Sequence, residues 1–186
     1  MASASGVSAN DWIRAAGRRL AAGGPSALSV EALARDLGVT KGSFYWHFRD
    51  RAALLDALLA DWSRRSTAPL LDRLRRSGSD PSTRLSALAA TVAGEGRGSL
   101  DPAIRAWSQH DSTVAEAVGQ VDQARLAFIA GEFRSLGFAP SAAWTRARLF
   151  YLHLLGEHAL GLADGPLPER LAEAAQVLVV LMAAEG

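Results

Sequence analysis

From Thr40 to Arg51 the chain reads TKGSFYWHFRDR, a run in which hydrogen-bond donors and aromatic rings surround two phenylalanines four residues apart. Phe44 and Phe48 share one side of a short helix and, with Leu33, Leu37 and Val39, are expected to face inward. That leaves Thr40, Lys41, Ser43, Tyr45, Trp46 and His47 for the outer side. Donors near the start of such a helix suit base edges in the major groove. Donors at its far end and in the following turn, Arg49 and Arg51 among them, reach phosphates. Gly42 on the same side lets the backbone approach a DNA strand closely. The chemistry this spacing favours is recognition by hydrogen bonding and charge.

These side chains need a scaffold that fixes the second helix against a first. Ser29 is a side-chain cap for a helix in which Leu33 and Leu37 lie on one face. Gly38 is expected to end that helix in the left-handed conformation a side chain disfavours. Thr40 is placed to cap the second helix, and Asp50 to cap a third, whose apolar stripe starts with Leu54, Leu55 and Leu58. Upstream, a helix from Ser8 to about Ala22 carries Asp11 near its positive end and spaces Trp12, Ala16 and Leu20 four apart for packing. Gly23-Gly24-Pro25 ends it, and the Ser/Ala/Gly-rich stretch before it, Met1 to Val7, reads as disordered.

The sequence LSVEALARDLGVTKGSFYWHFRDRAALLDALL resembles the N-terminal DNA-binding domain of the tetracycline-repressor-like (TetR) family of transcriptional regulators. Gly38-Val39, Phe44-Tyr45-Trp46-His47-Phe48, Arg51 and Leu54-Leu55 fall where that family has its glycine, aromatic, basic and leucine positions. The resemblance covers about the first third of the chain. It implies a helix-turn-helix DNA-binding domain over residues 1–50 and a helical ligand-binding and dimerisation domain over 51–186. The DNA-binding set it implies is Ser29, Thr40, Lys41, Gly42, Ser43, Tyr45, Trp46, His47 and Arg51, with Lys41 and Ser43 toward bases. It further implies a homodimer on a palindromic DNA operator, formed through the last two helices, and a small-molecule effector in the body.

Composition agrees with this division. Cysteine is absent, which excludes disulfides and thiolate zinc sites. No signal segment opens the chain and no apolar run is long enough for a membrane span, so the expected location is the cytoplasm. Net charge is +1, but nine Lys and Arg against six Asp and Glu through Ser66 give +3 there, leaving −2 for the remainder. A mildly basic head on a mildly acidic body fits a DNA-binding module carried by another module. Lys41 is the only lysine.

Beyond the head the pattern is helical throughout, and the fold class is all-α with about nine helices. Pro69 should kink or restart the fourth helix. Asp80-Pro81 and Asp101-Pro102 each read as a cap followed by proline at the first helical position. A long helix follows Asp111-Ser112 and closes at Gly137; two more span about Ser141–Leu162 and Pro168–Ala184. The glycines of Gly94-Glu95-Gly96-Arg97-Gly98 mark a turn between helices, not a phosphate loop, because no strand precedes them.

Trp62, Trp107, His110, Phe128, Phe150 and His153 are the candidates for lining an effector cavity, since rings with a few polar groups between helices can enclose an apolar or aromatic ligand. His153 and Glu157 lie four apart with His158 beside them, but H-L-L-G-E-H misses the inverted zinc-protease spacing and no further ligand can be assigned, so neither a metal nor a cofactor is expected. No nucleophile, base and orienting group come together, and an enzyme is not expected. The rival to a regulator is a helical small-molecule-binding or protein-interaction module whose helix-turn-helix is only scaffold.

Overall fold

The computed structural model describes residues 6–94 and 100–160, without the side chains of 93, 94 and 157–160. These residues form α-helices joined by turns, with no strand among them. They fall into two compact units, Met1–Ser66 with Ser99–Val118 and Thr67–Gly98 with Gly119–Gly186.

The first unit opens with α1 (Ala9–Gly23). Ser8 caps it in a reciprocal box: the Asp11 amide donates to Ser8 Oγ at 3.3 Å and the Ser8 amide donates to Asp11 Oδ2 at 2.9 Å. Trp12, Ala15, Ala16 and Leu20 make its buried face, close to the expected stripe. Gly24, at φ +69°, turns the chain into a single 3₁₀ turn, Pro25–Ala27.

Next come α2 (Val30–Asp36) and α3 (Lys41–Tyr45). Ser29 caps α2, its Oγ accepting from the Ala32 amide at 3.1 Å. Gly38 closes it at φ +66°, where a side chain would be strained. α3 is shorter than its aromatic run, because the chain leaves regular helix at Trp46. Even so, the Phe48 amide still donates to the Phe44 carbonyl at 3.0 Å, so both rings stay on the inner side. Trp12 meets Phe44 edge to face with centroids 5.2 Å apart, and Phe48 lies 5.6 Å from Phe44. Thr40 occupies the cap position of α3, but its side chain accepts no capping hydrogen bond.

Asp50 caps α4 (Arg51–Ser66), accepting from the Ala53 amide at 2.8 Å. Its Leu54, Leu58, Leu59 and Trp62 are buried. After a break at Thr67, α5 (Ala68–Arg76) begins with Pro69 in its first turn, which is the restart the proline called for.

α7 (Asp101–Ser108) returns to the first unit and packs on α1, where a Cβ added at Gly17 would touch Leu100 Cδ2 and Leu58 Cδ1 at 3.6 Å each. Its start differs from the expectation. Leu100 holds the cap position, Asp101 is already helical and Pro102 is second. The Asp101 carboxylate instead takes a hydrogen bond from Arg105 Nε at 2.8 Å, one turn along, so an intrahelical ion pair replaces the cap.

The second unit is built from α5, α6 (Pro81–Gly94), most of α8 (Ser112–Ser135) and α9 (Pro140–Leu160). Asp80 caps α6 through the Thr83 amide at 3.1 Å, and Asp111 caps α8 through the Thr113 amide at 3.0 Å. Gly137, at φ +100°, ends the turn after α8. Leu71, Leu85, Ile129, Phe133, Ala147 and Phe150 lie in one apolar cluster. Two polar ties cross it. Arg84 Nε donates to Glu132 Oε2 at 2.9 Å, and Tyr151 Oη donates to Asp122 Oδ1 at 2.6 Å beside Arg125, whose Nε reaches Thr67 Oγ1 at 3.0 Å. The final helix expected over Pro168–Ala184, and the turn 95–99, lie outside the described residues, as does any dimer contact of that helix.

Candidate nucleic-acid interface

The inward face of α3 is used up by Phe44 and, in the following turn, Phe48, 0 % and 8 % exposed. What is left projects outward. Thr40, Lys41, Gly42, Tyr45, Trp46 and His47 are exposed and Ser43 is partly so. Trp46, at 89 %, is the most exposed large apolar side chain among the described residues, and Tyr45 is 55 % exposed. Two rings held in water on a surface of donors cost free energy unless something covers them. Tyr45 is steadied from below by an edge contact with Phe44, centroids 5.3 Å apart.

Lys41 is not a loose charge. Its ammonium donates to the Glu31 carboxylate in the first turn of α2, a hydrogen bond that raises the lysine pKa and lowers that of the glutamate. Glu31 is the residue of this surface that the motif reading missed. The signal was available, because Val30, Leu33 and Ala34 are the buried positions of α2 and leave Glu31 outward.

Arg51 sits differently from a simple phosphate contact. Its Nε donates to the Leu28 carbonyl at 2.6 Å and its second guanidinium nitrogen to the Pro25 carbonyl at 2.7 Å, which ties the start of α4 to the turn ahead of α2. Arg49 pairs with Asp50 at 3.1 Å on an exposed corner. Ser29 is engaged as the cap of α2. Gly42 has room for a side chain: an added Cβ would meet only Thr40 Oγ1, at 3.7 Å. Between α1 and α2, Arg19 grips Asp36 through two hydrogen bonds of 2.5 and 2.9 Å, fixing how the two helices meet.

The effector candidates fall in both units. Trp107 and His110 come together on one wall of a cleft of about 720 Å³, closed on the other side by the end of α1 and the 3₁₀ turn through Leu20, Gly24 and Pro25. Trp62 is buried in α4, and its indole N–H meets no hydrogen-bond acceptor among the described residues. Phe128 and Phe150 are core of the second unit, and the Arg75 guanidinium lies over the Phe128 ring at 5.4 Å. His153 Nε2 is buried without a partner among the described residues. The side chains of Glu157 and His158 lie outside them, and no group of three or more possible metal ligands occurs within them. No helix among them is long and apolar enough to cross a membrane.

Capped short helices joined by a glycine turn, with the second helix presenting donors and rings outward, define a helix-turn-helix head attached to further helices. Residues 13–58 match the model of the bacterial regulatory proteins of the tetR family, the family that the motif of this head resembles. Solved transcriptional regulators share the fold over nearly the whole chain. One from Rhodococcus sp. Rha1 is 22 % identical, with a TM-score of 0.75 over 95 % of this chain and 96 % of its own. A TetR-family regulator from Streptomyces coelicolor is 20 % identical, with a TM-score of 0.75 over 95 % and 94 %. The fatty acid degradation regulator FadR from Bacillus halodurans is 16 % identical, with a TM-score of 0.67 over 94 % and 95 %. No curated protein sequence matches this one.

Proposed function

We propose that the chain is a ligand-responsive transcriptional repressor that binds a palindromic operator as a homodimer. The carrying observation is the outward set of Lys41, Tyr45, Trp46 and His47 on and just after a helix whose inner face is fully committed to the head core. In this reading Lys41 and Ser43 meet bases, Thr40, Tyr45, Trp46 and His47 meet phosphates or orient the helix, and residues 51–186 carry the head. Arg51 serves chiefly by holding α4 to the turn before α2, its remaining donors being what is left for a phosphate. Two heads on a two-fold axis would place their recognition helices in successive major grooves, about 34–36 Å apart. Trp144, Leu149 and Leu152 of α9 are exposed among the described residues, which supports a partner subunit on that helix. A regulator of this kind works in the cytoplasm, and an effector acts only through its differential affinity for the DNA-competent and DNA-incompetent states, typically ~1–3 kcal/mol.

The test is a gel shift with the protein's own upstream intergenic DNA, against an unrelated duplex of equal length and at two salt concentrations. Selective binding that weakens steeply with salt is expected. Lys41→Ala and Tyr45→Ala should each lower operator affinity by about tenfold while leaving helix content and assembled mass unchanged. Full affinity in both variants would remove the assignment of this face.

A further inference from the structure

α2 lends one charged side chain to the exposed surface of α3. Glu31 and Lys41 are joined by a hydrogen-bonded ion pair, and their side chains are 57 % and 53 % exposed. Each stands at the start of its helix, Glu31 in the first turn of α2 and Lys41 as the first residue of α3, so donor and acceptor are offered side by side from anchored backbone.

A carboxylate on a surface meant for a polyanion needs a reason. It repels phosphates and weakens every DNA complex alike, whatever the sequence. A reason appears when the groups on the major-groove edge of a base pair are compared with this pair of side chains. A G·C pair presents the O6 and N7 acceptors of guanine next to the N4 amino donor of cytosine. Lysine suits the first and glutamate the second. Resting on the regulator reading above, we propose that Glu31 and Lys41 together read a G·C base pair, Lys41 donating to guanine and Glu31 accepting from the paired cytosine.

At an A·T pair with thymine opposite Glu31, the carboxylate meets an O4 acceptor and a methyl group and is left desolvated without a donor. The ion pair also restrains Lys41. A lysine is otherwise a mobile point charge that goes to the nearest phosphate and reads nothing. In the free head the two charges satisfy each other; on the operator Lys41 keeps one N–H on Glu31 and turns another to guanine, while a free lone pair of Glu31 accepts from cytosine.

The test selects bound duplexes from a random library with the full chain as wild type, Glu31→Gln, Lys41→Gln and the double variant. Glutamine keeps the size of Glu31 but replaces its charge with an amide suited to adenine. Wild-type sites are expected to share a G·C pair in each half-site, and Glu31→Gln to lose that preference by roughly fivefold or more, in favour of A·T. Affinity of Glu31→Gln for an unrelated duplex should rise, with the salt dependence steeper by up to ~1 in log–log slope. The Glu31→Gln shift should vanish in the Lys41→Gln background. Circular dichroism and melting should stay as in the wild type, because an exposed ion pair carries little stability. Selective wild-type binding with base preference unchanged in Glu31→Gln overturns the proposal alone, as does a shift undiminished without Lys41. Absence of selective binding by the wild type overturns the regulator reading and this proposal with it.

Discussion

The two units of the chain hold themselves together by different means. In the first, α2 and α3 are seven and five residues long, too short to be helical by themselves in water. Their shape comes from end fittings: Ser29, Gly38 and Asp50 at the termini, Arg51 on two carbonyls and Arg19 on Asp36, closed over Trp12, Leu33 and Phe44. In the second, α8 and α9 run for 24 and 21 residues, and the ties lie inside, Arg84 on Glu132 and Tyr151 on Asp122. The head therefore carries its polar ties at helix ends and on its surface. The body places charge in its interior, where position depends on neighbours from distant parts of the chain.

The comparison can be broken first at the rings. Phe44→Ala in the head and Phe133→Ala in the body each remove a side chain with no exposed surface, and each should cost about 3–5 kcal/mol. Chemical denaturation followed by circular dichroism should show Phe44→Ala abolishing operator binding at a denaturant level where body helices persist. A single concerted transition in both variants would show that the units melt as one.

A smaller effect separates the ion pairs. Glu132 and Arg84 are 8 % and 17 % exposed, so Glu132→Ala leaves an arginine largely buried without its partner and should cost ~3 kcal/mol. Asp36→Ala, which breaks the half-exposed tie to Arg19, should cost no more than about 1 kcal/mol. Equal losses in thermal melting would erase the distinction between internal and surface ties.

The smallest expected effect is on acid stability. Hydrogen bonds from Ser8, then from Arg14, hold the Asp11 carboxyl below its usual range; Lys41 does so for Glu31 and Arg19 for Asp36, all in the first unit. Asp80, lowered by Thr83, is the corresponding group of the second. A carboxyl whose pKa is lower folded than unfolded adds stability above the unfolded value, near 4, and loses it as pH falls through the folded one. Glu31, Asp36 and Asp80 are exposed and Asp11 is partly so, so the effect is modest and salt-screened. Below about pH 4, Trp12 fluorescence changes should report head loosening before the far-ultraviolet signal of the body falls, most clearly at low salt. The reverse order would contradict the assignment of these pairs to the head.

How far each region could be read follows the same division. Ser29, Gly38 and Asp50 act within a few residues of themselves, so caps and turn stood where local pattern placed them. Local pattern did not show which partner a polar side chain would take. Asp101 resembles a cap in DP, yet it binds Arg105 inside the helix; Arg51 resembles a phosphate ligand, yet its donors find carbonyls 23 and 26 residues away. Glu31 was passed over because its meaning lies in Lys41, ten residues on and in another helix. Among the effector candidates, Trp107 and His110 share a cleft wall because α7 packs on α1, which no periodicity within α7 states.

The sequence by itself determined the helical class, the helix-turn-helix, its glycine hinge and which face of α3 is left outward, because capping, positive φ and i, i+4 spacing are short-range constraints. Only the tertiary structure decided that residues 99–118 cluster with the head, that Arg84 meets Glu132 inside the second unit, and that the lone lysine stands paired with a glutamate of the preceding helix. Those outcomes depend on which surfaces meet once the apolar faces are buried, and burial is blind to distance along the chain.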